Sequence, residues 1–253
     1  MDIIALDFDG VICNSAGEIC ASGWKAAGRL WPRRFEGEVP GAMVAAFERV
    51  RPAMSVGYQS ILLVRLLRDG YPEEKILADP VSLFSALMDA EGLTRDALMR
   101  RFGRIRDDWM AKDMRNWIGA HRFYEGTVDA VNCSDLPRYI ITTKEKRFAL
   151  ALCNAAGLNL PVENIFGLES GKKLNVLAGL RRRHPQACIH FIEDRLNALL
   201  CAAEDKTIDL QLYFAAWGCH TDEELARALR SPRITVLDLA QFPRFVQMPA
   251  AFA

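Results

Sequence analysis

Short apolar runs alternate with helical segments in the second half of the chain, and this alternation most constrains the fold. Each run is rich in β-branched or aromatic residues, and most are followed by apolar residues at helical spacing. The opening run, DIIALDF (2–8), has the same character. Strands separated by helices imply a parallel sheet with helices on both faces, so we predict an α/β, Rossmann-like fold. The later strand candidates are PRYIITT (137–143), NIFG (164–167), ACIHFIED (187–194), LQLYFAAW (210–217) and RITVLDL (233–239).

A long helical stretch separates the opening strand from the others. From residue 16 to about 122, apolar residues recur at three- and four-residue spacings. Gly70 followed by Pro72 is typical of a helix end, and no strand is expected in this stretch. The simplest arrangement is a helical domain inserted after the first strand. We therefore predict an α/β core domain of residues 1–13 and 124–253 and a helical cap domain of residues 14–123.

The composition limits the partners and the location. Lys and Arg number 32 together, as do Asp and Glu, so no net charge favours nucleic acid or an anionic membrane. The start, MDIIALDFDG, lacks the basic region of a signal peptide, and no apolar run approaches the roughly 20 residues that span a bilayer. We expect a soluble, cytoplasmic protein without nucleic-acid or membrane partners. The seven cysteines are scattered without C-x-x-C, which argues against a disulfide framework or a structural zinc site.

Two carboxylates close the first strand. Asp7 and Asp9 are two residues apart, so their side chains can face the same side at the carboxyl end of the strand. Carboxylates this close repel each other unless a cation lies between them, and Mg²⁺ prefers such oxygen ligands. Gly10 permits a tight turn and close approach of the backbone to a ligand. The alternative interpretation is a strand end with two solvated acids.

Other strand ends carry polar residues as well. Thr142 and Thr143 follow one apolar run and offer a hydroxyl and backbone N–H groups, although one of the pair is also a natural helix N-cap. Lys173, with Lys172 as its rival, begins a helix and suits a phosphate, whereas a solvated lysine is the plainer interpretation. Glu193 and Asp194 close a very apolar run, where paired acids are costly without a cation.

Taken in order, these residues resemble the four motifs of the haloacid dehalogenase-like (HAD) superfamily. The inserted helices resemble the cap of its phosphoglycolate phosphatase-like members. The resemblance covers the core, residues 1–13 and about 124–253. The residues that carry it are Asp7-x-Asp9-Gly10-Val11, Thr142, Lys173 and Glu193-Asp194.

The resemblance implies a Mg²⁺-dependent phosphatase that acts on a small phosphorylated metabolite. Asp7 would be the nucleophile that forms an aspartyl-phosphate, and Asp9 would act as general acid and then base. Mg²⁺ would bind the side chains of Asp7 and Asp194 and the main-chain carbonyl of Asp9, with Glu193 bound through water. The groups implied to stabilise the phosphoryl oxygens are Thr142, Lys173 and backbone N–H groups near Asp9, Gly10 and Thr143.

The sequence departs from the family pattern and leaves alternatives open. Asn14 stands where many relatives have aspartate in the first loop, and Ala198 and Leu199 stand where they carry a later acid. A phosphosugar mutase has the same motifs, and a non-catalytic binding protein could keep the same fold. Neither the substrate nor the oligomeric state can be predicted. Candidates in the cap for the distal groups of the substrate, each also typical of surface or packing positions, are Arg49, Arg51, Tyr58 and Arg106.

Overall fold

The sheet unit is built on six parallel strands. We describe a computed structural model that covers residues 1–205 and 208–252. Every pairing between neighbouring strands of the sheet is parallel, which confirms the predicted α/β class. The strands are β1 (Asp2–Leu6), β4 (Arg138–Ile141), β5 (Ile165–Phe166), β6 (Cys188–Glu193), β7 (Leu210–Ala215) and β8 (Ile234–Leu237). Their spatial order is β5-β4-β1-β6-β7-β8.

Helices follow the strands and cover the sheet. One apolar core joins alternate residues of the strands, such as Ile3, Ile189 and Leu212, to helix residues such as Leu177 and Leu199. Ile4 and Leu6, which point to the opposite face of β1, are also fully buried, so both faces are covered and the strands read as nearly continuous apolar runs. The helices of this unit are α7 (Thr127–Asn132), α8 (Lys146–Ala156), α9 (Lys173–Arg183), α10 (Leu196–Glu204), α11 (Asp222–Arg230) and α12 (Phe242–Phe245).

Most strands end earlier than their apolar runs suggested. β1 ends at Leu6 instead of residue 8, and β4 ends at Ile141 instead of residue 143. The backbone N–H of Asp7 still donates to the carbonyl of Ile192 at 2.9 Å, and that of Thr142 donates to Phe166 at 2.9 Å. The first polar residue after each of these strands therefore still hydrogen-bonds to the sheet, and this bond fixes the backbone from which its side chain extends.

The inserted residues form a helical unit with its own apolar core. Its buried members include Trp24, Phe47, Leu62 and Phe102. The longest helix is interrupted by non-helical angles at Asp113, whose carboxylate accepts from the backbone of residue 116 at 2.9 Å. The helices of this unit are α1 (Ala16–Leu30), α2 (Gly41–Val50), α3 (Gln59–Arg68), α4 (Glu73–Ala78), α5 (Pro80–Ala90) and α6 (Arg95–Gly119).

A buried ion pair lies inside the helical unit. The guanidinium of Arg106 donates to both carboxylate oxygens of Glu18, at 2.9 and 2.6 Å. Ser22 and Trp117 also donate to Glu18, at 2.6 and 3.3 Å. Of the two interpretations of Arg106, substrate binding and packing, the structure supports packing, because the side chain is buried and paired with Glu18.

The chain divides into two compact units, residues 1–14 with 123–253 and residues 15–122. The short strands β2 (Cys13–Asn14) and β3 (Arg122–Phe123) mark where the chain leaves and re-enters the sheet unit. That residues 14–123 act as a cap stays a prediction. Among the described residues, no helix combines the length and the apolar character that crossing a bilayer requires.

Candidate active site

The acids gather where the strand order reverses. From β1 the chain first adds β4 and β5 on one side, and then β6, β7 and β8 on the other. Open α/β sheets bind ligands beyond the carboxyl ends of the strands at such a reversal. β1 and β6 are direct neighbours, so Asp7, just after β1, lies beside Glu193 and Asp194 at the end of β6.

One lysine joins two of these acids. Lys173 Nζ lies 2.9 Å from Asp7 Oδ1 and 2.5 Å from Glu193 Oε2. Lys173 is the first residue of α9, whereas the rival Lys172 precedes the helix and is exposed. The geometry thus shows which of the two adjacent lysines contacts the acids, a choice that the sequence left open.

Asp194 is held by the loop that follows β7. Its Oδ2 accepts the backbone N–H of Cys219 at 2.8 Å, while its Oδ1 is buried and has no hydrogen-bond partner among the described residues. A Cβ added to Gly10 would lie 1.8 Å from Asp194 Oδ2, and one added to Gly218 would lie 2.3 Å from Asp194 Cβ. Gly10 also has a φ of +94°, which disfavours any other residue there. Two glycines therefore shape the space around this carboxylate.

Asp9 forms an ion pair with a second lysine, Lys144. Lys144 Nζ lies 3.2 Å from Asp9 Oδ1, and the side chain of Lys144 is buried. The backbone N–H of Lys144 donates to the hydroxyl of Thr142 at 3.1 Å, so Thr142 fixes the turn that presents this lysine. Thr142 is buried at the end of β4, and Thr143 is partly buried beside it.

Burial and mutual repulsion perturb the acids. Burial, and then the charge of Glu193, raise the pKa of Asp7 to about 7, although Lys173 opposes the shift. Burial, and then the charge of Asp7, raise the pKa of Asp194 to about 6. Burial is also the main cause of the raised pKa of Glu193. Burial lowers the pKa of Lys173, but the charges of Asp7 and Glu193 outweigh it and the pKa rises overall.

The acids can hold a divalent cation. One carboxylate oxygen from each of Asp7, Glu193 and Asp194 lies within 4.8 Å of the other two, and all three residues are buried. The oxygens come from carboxylates alone, which suits a hard cation. A cation here would lower the raised pKa values and would supply the partner that Asp194 Oδ1 lacks.

Three parts of this site were missed from the sequence. Lys144 lies in the turn before α8, which begins two residues later, and the sequence did not mark it as a site residue. Gly218 and the N–H of Cys219 lie after β7, where no charged residue marks the strand end. A glycine shortly after each of two strands is the only sequence signal that could have pointed to this loop. Leu199, at one of the positions where many relatives carry a later acid, packs in the apolar core.

The parallel sheet and the reversal of its strand order place the chain in the class of open, Rossmann-like α/β folds. Within it, the chain resembles a solved structure from Haemophilus somnus 129PT, described as a predicted phosphoglycolate phosphatase, with a TM-score of 0.63, 15% identity and 98% of each chain covered. A haloacid dehalogenase-like hydrolase from Streptococcus pneumoniae gives a TM-score of 0.58 at 18% identity, over 98% of this chain and 99% of that one. A predicted phosphatase from Clostridium acetobutylicum gives 0.57 at 14% identity, over 97% of each chain.

These likenesses establish the fold. The chain has the haloacid dehalogenase-like fold, which confirms the structural expectation drawn from its motifs. No family model matches the sequence, and no curated protein matches it. The chemistry must therefore be argued from the residues of this chain.

Proposed function

We propose that the protein is a Mg²⁺-dependent phosphatase that hydrolyses a small phosphorylated metabolite through an aspartyl-phosphate on Asp7. The observation that carries the proposal is the buried group of Asp7, Lys173, Glu193 and Asp194, brought together from three separate segments of the chain. Several proteins with a similar fold are described as phosphatases, which supports the same reaction class. Folding buries acids at high cost, so such a group favours a functional role.

The residues present fit a magnesium ion. Asp7 and Asp194 would supply side-chain oxygens and Asp9 its main-chain carbonyl. Both oxygens of Glu193 already accept hydrogen bonds, from Lys173 at 2.5 Å and from the backbone N–H of Arg195 at 3.1 Å, which suits a role through water. The acids also outnumber the nearby basic groups, even when Arg195, whose charge lowers the pKa of Asp194, is included. When bound, Mg²⁺ would neutralise charge on the phosphoryl group and on Asp7.

Asp7 would attack the phosphorus atom, and the bond from phosphorus to the ester oxygen would break. Lys173 lies 2.9 Å from Asp7, so it can orient the carboxylate and balance the negative charge that gathers on the phosphoryl oxygens. Thr142, Thr143 and the backbone near Gly10 would hold the same oxygens. Positioning and charge neutralisation supply most of the rate gain in phosphoryl transfer.

Asp9 would give its proton to the leaving oxygen and then take one from the water that hydrolyses the aspartyl-phosphate. Lys144, 3.2 Å from Asp9 Oδ1, fixes the position of this carboxylate. That the substrate is small is part of the proposal. A cytoplasmic location and the absence of nucleic-acid and membrane partners stay predictions.

The test is hydrolysis of a generic aryl phosphate by the purified protein, with Mg²⁺ and with a chelator. We expect turnover only with Mg²⁺ and a loss of about 10⁴-fold or more in Asp7→Asn. Circular dichroism of the variant should match that of the parent protein. Undiminished hydrolysis by a folded Asp7→Asn variant would remove Asp7 from its role.

A screen of phosphorylated metabolites would then name the substrate class. Release of inorganic phosphate without an isomeric product supports the phosphatase. Formation of an isomer with no net phosphate release would support the mutase, and inertness towards every substrate would support a binding protein.

A further inference from the structure

A second group of metal-ligating side chains lies at the other end of the sheet. Asp2 and Cys188 are the first residues of β1 and β6, and they are register partners on these neighbouring strands. His190 is two residues beyond Cys188, so the three side chains share one face of the sheet. The candidate active site lies at the opposite, carboxyl end of the same two strands.

The imidazole of His190 is already oriented. Its Nε2 lies 3.2 Å from Asp2 Oδ1, and its Nδ1 lies 3.0 Å from the hydroxyl of Tyr213. The ring of Phe245 packs edge-on against both His190 and Tyr213, with centroids 6.1 and 4.5 Å away. His190 is fully buried, so the surroundings fix both ring nitrogens.

The donor atoms lie close enough to share an ion. One atom from each of Asp2, Cys188 and His190 lies within 4.8 Å of the other two. Ligand atoms around a tetrahedral zinc ion are about 3.3–3.8 Å apart, given bonds of about 2.0–2.3 Å. Small side-chain rotations would bring these atoms to that spacing. Asp2 and Cys188 are partly exposed, so an ion can enter from solvent and water can take a fourth position.

We propose that Asp2, Cys188 and His190 form a binding site for a borderline divalent transition metal such as Zn²⁺. The oxygen, sulfur and nitrogen donors suit zinc, cobalt or nickel and disfavour Mg²⁺, which requires oxygen ligands. Hydrogen bonds among Asp2, His190 and Tyr213 alone would make a structural network. The thiol of Cys188, one strand from Asp2 and on the same face, completes a mixed donor set.

Binding rearranges protons in a defined way. The thiol of Cys188 releases its proton to solvent and coordinates as thiolate. The single proton of the neutral imidazole moves from Nε2, which donates to Asp2 in the metal-free protein, to Nδ1. Nδ1–H then donates to the hydroxyl of Tyr213, an arrangement common for metal-ligating histidines. This site lies at the opposite end of β1 and β6 from the three carboxylates of the candidate active site, and its ligands include nitrogen and sulfur as well as oxygen.

The test is titration of the chelator-treated protein with Co²⁺ in saturating Mg²⁺, followed by absorption spectroscopy. Mg²⁺ occupies an oxygen-only site and gives no absorption of its own. We expect a thiolate-to-cobalt charge-transfer band that saturates at one equivalent of Co²⁺. Asp2→Asn and Cys188→Ser should weaken Co²⁺ binding at least about tenfold, and Cys188→Ser should abolish the band.

Matched controls separate this site from other thiols. Cys219→Ser changes the thiol next to the candidate active site, and Cys201→Ser changes an exposed thiol on α10; both should keep the band. Far-ultraviolet circular dichroism checks that each variant is folded. The proposal is overturned if the parent protein gives no band, if the band survives Cys188→Ser, or if Asp2→Asn binds Co²⁺ as tightly as the parent.

Discussion

The two site lysines have different electrostatic surroundings. Lys173 contacts two buried acids, Asp7 and Glu193, whereas Lys144 contacts Asp9. Removing Lys173 leaves the buried carboxylates of Asp7 and Glu193 without the cation that they share, whereas Asp9 is partly exposed to solvent. Such a loss is costly to stability, and it also frees a side chain that the proposed reaction needs in one position.

Changing Lys173→Met should lower kcat/KM for an aryl phosphate by about 10²–10³-fold, because a cation at the phosphoryl group and at Asp7 is lost. The matched control is Lys172→Met, which changes the adjacent exposed lysine and should stay within about twofold of the parent. Steady-state kinetics with excess Mg²⁺ measure both. Equal losses in the two variants would contradict the assignment of Lys173.

Without a divalent cation, stability should fall as pH rises from about 4 to 7. The pKa of Asp7 is raised from 3.8 to about 7 in the folded protein, so in this window the folded state binds more protons than the unfolded state. Stability then decreases with pH, by at most about 1.4 kcal/mol per pH unit for one such group. Asp194, with a pKa of about 6, adds to the slope. Lys173 adds none, because it is protonated in both states here.

Urea unfolding in chelator at pH 5, 6 and 7 measures this slope. Asp7→Asn should flatten it, because that residue no longer titrates. A parent protein that gains stability over this range, or a variant with an unchanged slope, would show that Asp7 is not protonated in the metal-free fold.

At the scale of elements, two loops approach each other around Asp194. The loop after β1 contributes Gly10, and the loop after β7 contributes Gly218 and the N–H of Cys219. Neither glycine position has room for a methyl group, because Asp194 fills the space. The carboxylate is therefore fixed by backbone from two neighbouring segments as well as by its own strand.

Gly218→Ala should displace Asp194 and weaken Mg²⁺ binding by about 10–100-fold, since the added Cβ would lie 2.3 Å from Asp194 Cβ and 2.7 Å from the carbonyl of Gly10. The control is Gly179→Ala in α9, whose Cβ would meet nothing closer than 3.8 Å. Isothermal titration calorimetry with Mg²⁺ gives both affinities. Parent-like binding by Gly218→Ala would show that the loop adapts.

The sequence predicted the elements better than it predicted the loops. Apolar runs located the strands, and acids directly after them were expected to converge because parallel strands end at one edge. Asp7, Glu193 and Asp194 follow this rule. Lys144 does not, because a lysine before a helix is usually solvated, and only the turn fixed by Thr142 directs it to Asp9. Arg106 kept two interpretations because its partner, Glu18, is remote in sequence.

At the scale of the whole molecule, the two units have separate apolar cores. The helical unit buries residues such as Trp24 and Phe102, and the sheet unit buries residues such as Phe191 and Phe214. The helical core also contains the ion pair of Arg106 and Glu18, both almost completely buried. A buried pair contributes little net stability, yet removing one partner leaves an isolated buried charge.

Arg106→Met should destabilise the helical unit by about 3–5 kcal/mol, because the buried carboxylate of Glu18 would lose the guanidinium that balances its charge, although Ser22 and Trp117 would still donate to it. Arg104→Met, an exposed arginine on the same helix, is the matched control. Restoring neutrality with Glu18→Gln in the Arg106→Met background should recover most of the loss.

Amide hydrogen exchange locates the effect: protection should fall across residues 15–122 and stay near the parent value in the sheet unit. Saturating Mg²⁺ should raise the protection of the sheet unit and leave that of the helical unit near the parent value. Ligand binding to the folded state raises protection mainly in the unit that binds the ligand. Equal loss of protection in both units would mean that the chain unfolds as one cooperative body, because the separate cores would then not limit the spread of the defect.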